Sequence, residues 1–463
     1  MFTPHTPQDV EAMLKAIGLS KLEDLFQEIP EQYRFPELNL PPALSEMEVN
    51  QDLESIARAN GNTSELISFL GAGAYDHYVP AAVDMLLRRG EFYTAYTPYQ
   101  PEISQGTLQS TFEYQSLICN LTGMDVANAS HYDGATAAAE AVILAYHHFK
   151  GKRTKFLISR AVNPQYRRVI RTYMRGYSEI SILGDDQKTG IDASMEKLIA
   201  QIDTNTALVM VQYPDFFGRI IDYKPLAEAV HAAGALLAVS VNPTALGILT
   251  PPGEFGADIV TGEGQPLGIP LSYGGPYLGI FAVTNELLRK ISGRLIGQTV
   301  DAAGELAYVM TLTAREQHIR REKATSNICT NQGLMALAST IYLSLLGKHG
   351  FEQVANLCYQ KAHYAANQIE SIPGYNLAFS ETPFFHEFVI SSPMPVDHLL
   401  DHLRAYDILG GYDLGKDYPE LEGYLLMAVT EKIHKFINGR LSHGSPPKVH
   451  RGAGQYRPYG FFQ

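Results

Sequence analysis

Three stretches of the sequence combine residue types that do chemistry. The first, residues 92–106, reads Phe-Tyr-Thr-Ala-Tyr-Thr-Pro-Tyr-Gln-Pro-Glu-Ile-Ser-Gln-Gly. Pro98 and Pro101 break regular structure there, while Tyr96, Thr97, Tyr99, Gln100, Glu102 and Gln105 supply rings, hydroxyls, amides and a carboxylate. Such a loop can line a ligand, or it can pack as a tyrosine-rich segment whose hydroxyls find backbone partners. The second runs Ala129-Ser130-His131-Tyr132-Asp133-Gly134-Ala135-Thr136 and opens an alanine-rich helix. Free backbone amides at Gly134, Ala135 and Thr136 suit a phosphate; a well-capped core helix with small residues for close packing is the competing reading. The third, Gly262-Glu263-Gly264-Gln265-Pro266-Leu267-Gly268, continues through Pro270 to Pro276 as a glycine-rich turn. It almost spells a dinucleotide fingerprint, but its last glycine comes one position late. Pro266 and Pro270 would also interrupt the helix that must receive the pyrophosphate. No lysine occurs between Lys224 and Lys290.

Other chemistries lack their parts. There is no Gly-Lys-Ser/Thr phosphate loop, no His-Glu-x-x-His and no Gly-x-Ser-x-Gly elbow. His147-His148 lies within a predicted helix without a third ligand in view, so it reads as a packed or solvated pair and no metal is expected. Cys119, Cys329 and Cys358 are too few and too scattered for a disulfide framework, which points to a reducing compartment. A formal charge of -13 argues against nucleic acid or an anionic membrane as a partner. No run approaches a membrane span and the N-terminus shows no targeting pattern, so a cytoplasmic protein is expected.

The elements that must position these stretches follow from periodicity. Thr6-Pro7-Gln8-Asp9 starts a first helix, and the proline-dotted residues after it read as an arm over 1–68. From residue 155 strands and helices alternate, with strands such as Ala207-Leu208-Val209-Met210-Val211 apolar throughout. That pattern predicts an α/β large domain over 69–330 built on a mainly parallel sheet. A long helix from about residue 333 leads to a smaller α+β domain over 331–433, and residues 434–463, basic and without an acidic residue, read as a disordered tail.

A glycine-aromatic region at residues 69–80, a helix start suited to phosphate, parallel strands and a smaller C-terminal domain together suit a pyridoxal-phosphate enzyme of the aminotransferase type. That chemistry needs an acid opposite the pyridine nitrogen and a lysine for the Schiff base. The acid is expected after the strand at 236–241, where Asn242 stands, and the lysine in the glycine-rich turn, where Gln265-Pro266 stands. Both essentials are missing.

These residues carry a resemblance. Tyr96-Thr97-Pro98-Tyr99-Gln100-Pro101-Glu102-Ile103-Ser104-Gln105-Gly106, Tyr132-Asp133-Gly134-Ala135-Thr136, the 262–268 turn and Ile319-Arg320-Arg321-Glu322-Lys323-Ala324-Thr325-Ser326-Asn327-Ile328-Cys329-Thr330 resemble the P-protein of the glycine cleavage system, in its alpha or N-terminal-half subunit. The resemblance covers residues 3–433. It implies the aminotransferase-like fold (pyridoxal-phosphate fold type I) and an oxidoreductase subunit that is inactive alone. Its partners would be a homologous beta subunit in an α2β2 heterotetramer, glycine, and the lipoylated H-protein that receives the aminomethyl group. It also implies that Gln265 replaces the cofactor lysine and that the beta subunit holds pyridoxal 5'-phosphate. Gly134, Ala135 and Thr136 would then keep a vestigial phosphate site, and residues 93–106 would line the partner's active-site mouth. Two features depart from the family: His131 stands where an apolar residue, often methionine, is expected, and after Ile433 the chain runs to Asn438-Gly439 and a basic tail in place of an acidic-basic terminal helix, so nothing transfers to 434–463. The competing readings are a non-catalytic scaffold of the same fold and an autonomous pyridoxal enzyme that takes its lysine from elsewhere.

Overall fold

The computed structural model describes residues 4–184 and 195–433, so the tail expected at 434–463 lies outside the described residues. The chain divides into two units, one ending at Gly61 and one beginning at Asn62. In the first, helices Pro7–Ala16 and Glu46–Arg58 each start with a capping box, at Thr6 and Ser45, which satisfies amides that a helix start leaves free. Leu14 is the only buried residue described in this unit.

The second unit is built on a seven-stranded sheet. In chain order its strands are β1 (Val126–Ala127), β2 (Lys155–Ile158), β3 (Ser181–Leu183), β4 (Thr206–Tyr213), β5 (Leu236–Val241), β6 (Ile259–Glu263) and β7 (Gly279–Val283). They lie side by side as β1-β7-β6-β5-β4-β2-β3. The five from β3 to β6 pair in parallel, while β7 runs antiparallel to both β6 and β1. A mainly parallel sheet was expected; the reversal of β7 is a refinement. The connection over 264–278 contains no helix to carry a crossover, and β7 returns antiparallel.

Both sheet faces are covered. Val209 and Val211 of β4 face one core, with helices Gln105–Thr122 and Lys224–Ala232. Leu208 and Met210 face the other, with helices Gly134–His148 and Pro164–Tyr173. Side chains alternate along a strand, so a strand buried on both sides must be apolar at every position. In Gly134–His148, Ala137, Ala138, Ala139 and Ala141 are fully buried, and their small size lets this helix lie close against its neighbours.

Helix Gln105–Thr122 takes Gln105 and Gly106, the end of the tyrosine-rich stretch, into its first turn. The long helix Gly333–Glu370 is interrupted at Gly347, whose φ of 59° and ψ of −173° suit a residue without a side chain. Its second half packs on a four-stranded antiparallel sheet, in spatial order β8 (Asn376–Leu377), β9 (Glu387–Ser391), β11 (Tyr424–Ala428) and β10 (Tyr412–Asp413). The periodicity did not show the hairpin formed by Leu295–Val300 and Leu306–Thr311.

Candidate functional site

The turn after β6 holds Gln265, which is 1% exposed. Every polar group of its side chain has a partner. Oε1 accepts from the Tyr75 N–H at 2.9 Å, and Nε2 donates to the carbonyls of Tyr75 at 2.9 Å and Ile269 at 2.7 Å. The amide therefore ties the glycine-aromatic loop to the turn, and without it the Tyr75 N–H and the Ile269 carbonyl would lose their partner. Tyr75 extends the tie: its hydroxyl donates to Glu387 on β9 at 2.8 Å, and Glu387 also accepts from the Ala72 N–H at 2.7 Å. Burial pushes the Glu387 carboxyl up to about 7. Three residues on, Gly268 has a φ of 87° and passes so near Tyr342 that a Cβ would meet it at 2.5 Å, so no other residue fits.

The helix start beside this turn is also occupied. Asp133 caps it, accepting from the Thr136 N–H at 2.7 Å. The Gly134 N–H donates to Glu263 Oε2 at 3.0 Å, and Oε1 of the same carboxylate accepts from the N–H groups of Gln265 at 2.9 Å and Leu278 at 3.2 Å. Burial pushes the Glu263 carboxyl up to about 8, opposed by these three amides. A Cβ on Gly134 would lie 2.5 Å from the Tyr166 hydroxyl and 2.8 Å from the Glu263 nitrogen. At the end of β5, Asn242 accepts from the Thr244 N–H at 3.0 Å, and its Nδ2 lies 2.8 Å from His386 Nε2.

Pyridoxal phosphate would require a lysine, an acid facing the ring nitrogen, and amides open to the phosphate. The positions at which these groups are expected hold a fully engaged glutamine, an asparagine bound to a buried histidine, and a helix start that already binds a carboxyl group. The residues present do not fit the group.

The tyrosine-rich loop lies in a different setting. Tyr96, 74% exposed, lines an open cavity with Tyr93, Ser130, Arg294, Thr330 and Leu337. Thr97 hydrogen-bonds the Thr330 hydroxyl. Gln105 pins the loop to the hairpin, accepting from the Tyr308 N–H at 2.9 Å and donating to its carbonyl at 3.0 Å. Gln100 and Glu102 are exposed and are not among the residues that line the cavity. Sequence reasoning missed Arg294. It is 4% exposed, pairs with buried Glu316, and donates to Cys329 Sγ at 2.8 Å and to the Tyr99 hydroxyl at 3.4 Å. Its guanidinium lies 5.6 Å from the Tyr99 ring centroid. Arg294 thus joins the tyrosine loop to the stretch ending at Cys329-Thr330, and no motif around it announces that role.

His131 is accounted for by packing: it is buried, stacks on Phe281 at 4.7 Å, and burial lowers its pKa to about 3, keeping the ring neutral. Among the described residues one cluster, His77, Cys358 and Glu431, has metal-type donors. Glu431 there lies 2.7 Å from His77 Nδ1 and accepts from the Cys358 thiol at 3.3 Å, so hydrogen bonds account for the grouping. The three cysteines are free. No described helix is long and apolar enough to cross a membrane.

Residues 1–435 match the family model of the glycine cleavage system P-protein. The chain is 53% identical over 431 residues to a probable glycine dehydrogenase (decarboxylating) subunit 1 of Thermomicrobium roseum, covering 93% of this chain and 96% of that one. A second protein so described, from Geobacillus kaustophilus, is 53% identical over 443 residues, covering 94% and 98%. Among solved structures, an inhibitor-bound glycine decarboxylase (P-protein) of the glycine cleavage system superposes with a TM-score of 0.86 at 39% identity, covering 95% of this chain and 98% of that one. More distant neighbours, such as the glutamate decarboxylase of Lactobacillus brevis (TM-score 0.64, 11% identity, covering 90% and 95%), share the pyridoxal-phosphate type I fold.

Proposed function

Since the chain belongs to the glycine cleavage system P-protein family, we propose that it is the non-lysine-bearing subunit of glycine decarboxylase. It works with a homologous beta subunit that holds pyridoxal 5'-phosphate, and the pair passes the aminomethyl group of glycine to the lipoyl arm of the H-protein. When bound in the partner, the cofactor supplies an electron sink for the carbanion left as carbon dioxide departs. The observation that carries this reading is Gln265, whose amide is wholly engaged where a Schiff-base lysine is expected. The relatives' description as subunit 1 supports a partner chain, for which we propose an α2β2 assembly in the cytoplasm, inactive when either chain is alone.

In this reading the chain's own contribution is the loop at residues 93–106. Tyr96 and Tyr93 present rings at an open cavity, and Arg294, Thr330 and Gln105 hold the loop in place. Such a rigid aromatic surface excludes water from the partner's site and orients what enters it. The test is co-expression with a lysine-bearing homologue, assayed with lipoylated H-protein for glycine-dependent exchange of labelled carbon dioxide. The complex exchanges and neither chain alone does; exchange by this chain alone would defeat the proposal.

One observation favours the scaffold reading. The polar groups of Thr97, Tyr99 and Gln105 all have partners within the chain, as in a packing loop. Tyr96→Ala separates the two: a scaffold keeps turnover in the assembled complex, while a site-lining subunit loses it with assembly intact.

A further inference from the structure

We propose that this chain excludes pyridoxal phosphate by occupying the phosphate seat itself: the Glu263 carboxyl group, held by the Gly134 N–H, sits on the start of helix Gly134–His148 where the phosphate would go. The want of a lysine is then only half of the explanation. The family reading above identifies the group excluded; the lock itself rests on geometry within this chain.

A helix start receives a phosphate through backbone N–H groups that carry partial positive charge and point outward. Here the Gly134 N–H points at Glu263 Oε2, 3.0 Å away, and the Thr136 N–H is taken by Asp133. The carboxylate does not swing in from a surface position. It is 6% exposed, and its second oxygen is held by the Gln265 and Leu278 amides. Glu263 is the last residue of β6, so the strand end, the helix start and the turn that carries Gln265 are bound through one side chain. A Cβ on Gly134 would strike the Glu263 nitrogen and the Tyr166 hydroxyl. The helix start is thus packed directly on the end of β6, which keeps the Glu263 side chain within reach of its amide.

Occupancy by Glu263 also explains how the fold keeps this region without a cofactor. In a holo site the phosphate links the helix start to the neighbouring turn. Here a carboxylate of the chain makes the same link, and Gln265 takes up the remaining backbone groups.

The test uses the full chain with inorganic phosphate and pyridoxal phosphate as probes. Glu263→Ala opens the seat and Glu263→Gln keeps its shape. With phosphate, the Tm of Glu263→Ala rises saturably by about 2 °C, and pyridoxal phosphate competes; the parent and Glu263→Gln show neither effect. The proposal fails if the parent responds as Glu263→Ala does, or if a folded Glu263→Ala shows no response. Should Glu263→Ala not fold, the parent alone decides. In a 15N-glycine-labelled chain the Gly134 amide resonance stays unmoved as phosphate is added, and a saturable shift overturns the lock. Borohydride reduction and peptide mapping of the native two-subunit complex tests the partner reading separately. Pyridoxyl on neither chain would sink that reading and leave the lock intact, whereas pyridoxyl on this chain would sink both.

Discussion

The Gln265 turn and the Tyr96 cavity are built from the same kinds of residue, glycines, amides and aromatic rings, yet they treat them oppositely. Around Gln265 each amide and carboxylate group closes on the chain's own backbone. Around Tyr96 the rings stay at the surface, and polar side chains beneath them serve to fix the loop. Buried polar groups hold one geometry only when each is satisfied, so a filled site becomes a rigid strut. A site that receives something must leave concave, partly apolar surface uncovered. On the proposed reading this chain contributes at the cavity, and the Gln265 turn serves as support.

The largest expected effect lies where the two regions' logic overlaps. Arg294→Met removes the partner of buried Glu316, and stranding that carboxylate is expected to cost about 4 kcal/mol in denaturant unfolding. A loss below 1 kcal/mol would show that the tyrosine loop does not depend on this ion pair.

The next is a pH dependence dominated by the buried carboxyls. Burial raises Glu140 and Glu387 to about 7 and Glu263 to about 8, so the folded chain binds protons that the unfolded chain has released. Stability from such groups is lost as pH rises toward the folded values. His131, lowered to about 3, acts in the opposite sense, adding stability as pH climbs from 3 to 6.5. His386, His147, His148 and His363, also lowered by burial, act in the same sense as His131 until about pH 7.5, but from pH 6.5 to 8 the carboxyls outweigh them, and unfolding measurements should show a net fall of about 2 kcal/mol. Glu263→Gln should flatten more than half of that fall; an unchanged slope would refute the buried-carboxyl account.

Gln265→Ala leaves the Tyr75 amide and the Ile269 carbonyl without their partner, a loss of about 2 kcal/mol measured by the Tm of the single chain. An unaltered Tm would mean that the turn is not a strut. The smallest energy belongs to the open side. Tyr96→Ala should leave stability within about 0.5 kcal/mol while cutting turnover of the assembled complex by at least about tenfold, equivalent to about 1.4 kcal/mol. Loss of assembly in place of turnover would make the loop an interface and not a site wall.

Much of this was legible in the sequence where local rules suffice. Apolar runs such as Val209-Met210-Val211 announce strands buried on both faces, and Thr6-x-x-Asp9 and Asp133-Gly134 announce helix starts. What stayed hidden depends on pairing across long separations. Arg294 finds Tyr99 and Cys329, and Glu263 finds Gly134, through contacts that no spacing rule encodes. The 295–311 hairpin was hidden because its strands are partly exposed and its alternation is weak.

By itself, the sequence determined that the chain is an α/β protein of a recognisable family and that Gln265 stands in the glycine-rich turn where a lysine is expected, because residue identity is a local fact. Only the tertiary structure decided what occupies the start of helix Gly134–His148. Whether a helix start is open to an anion depends on which side chain reaches it from another strand, and Glu263, 129 residues from Gly134 in sequence, reaches it only once β6 has been laid into the sheet.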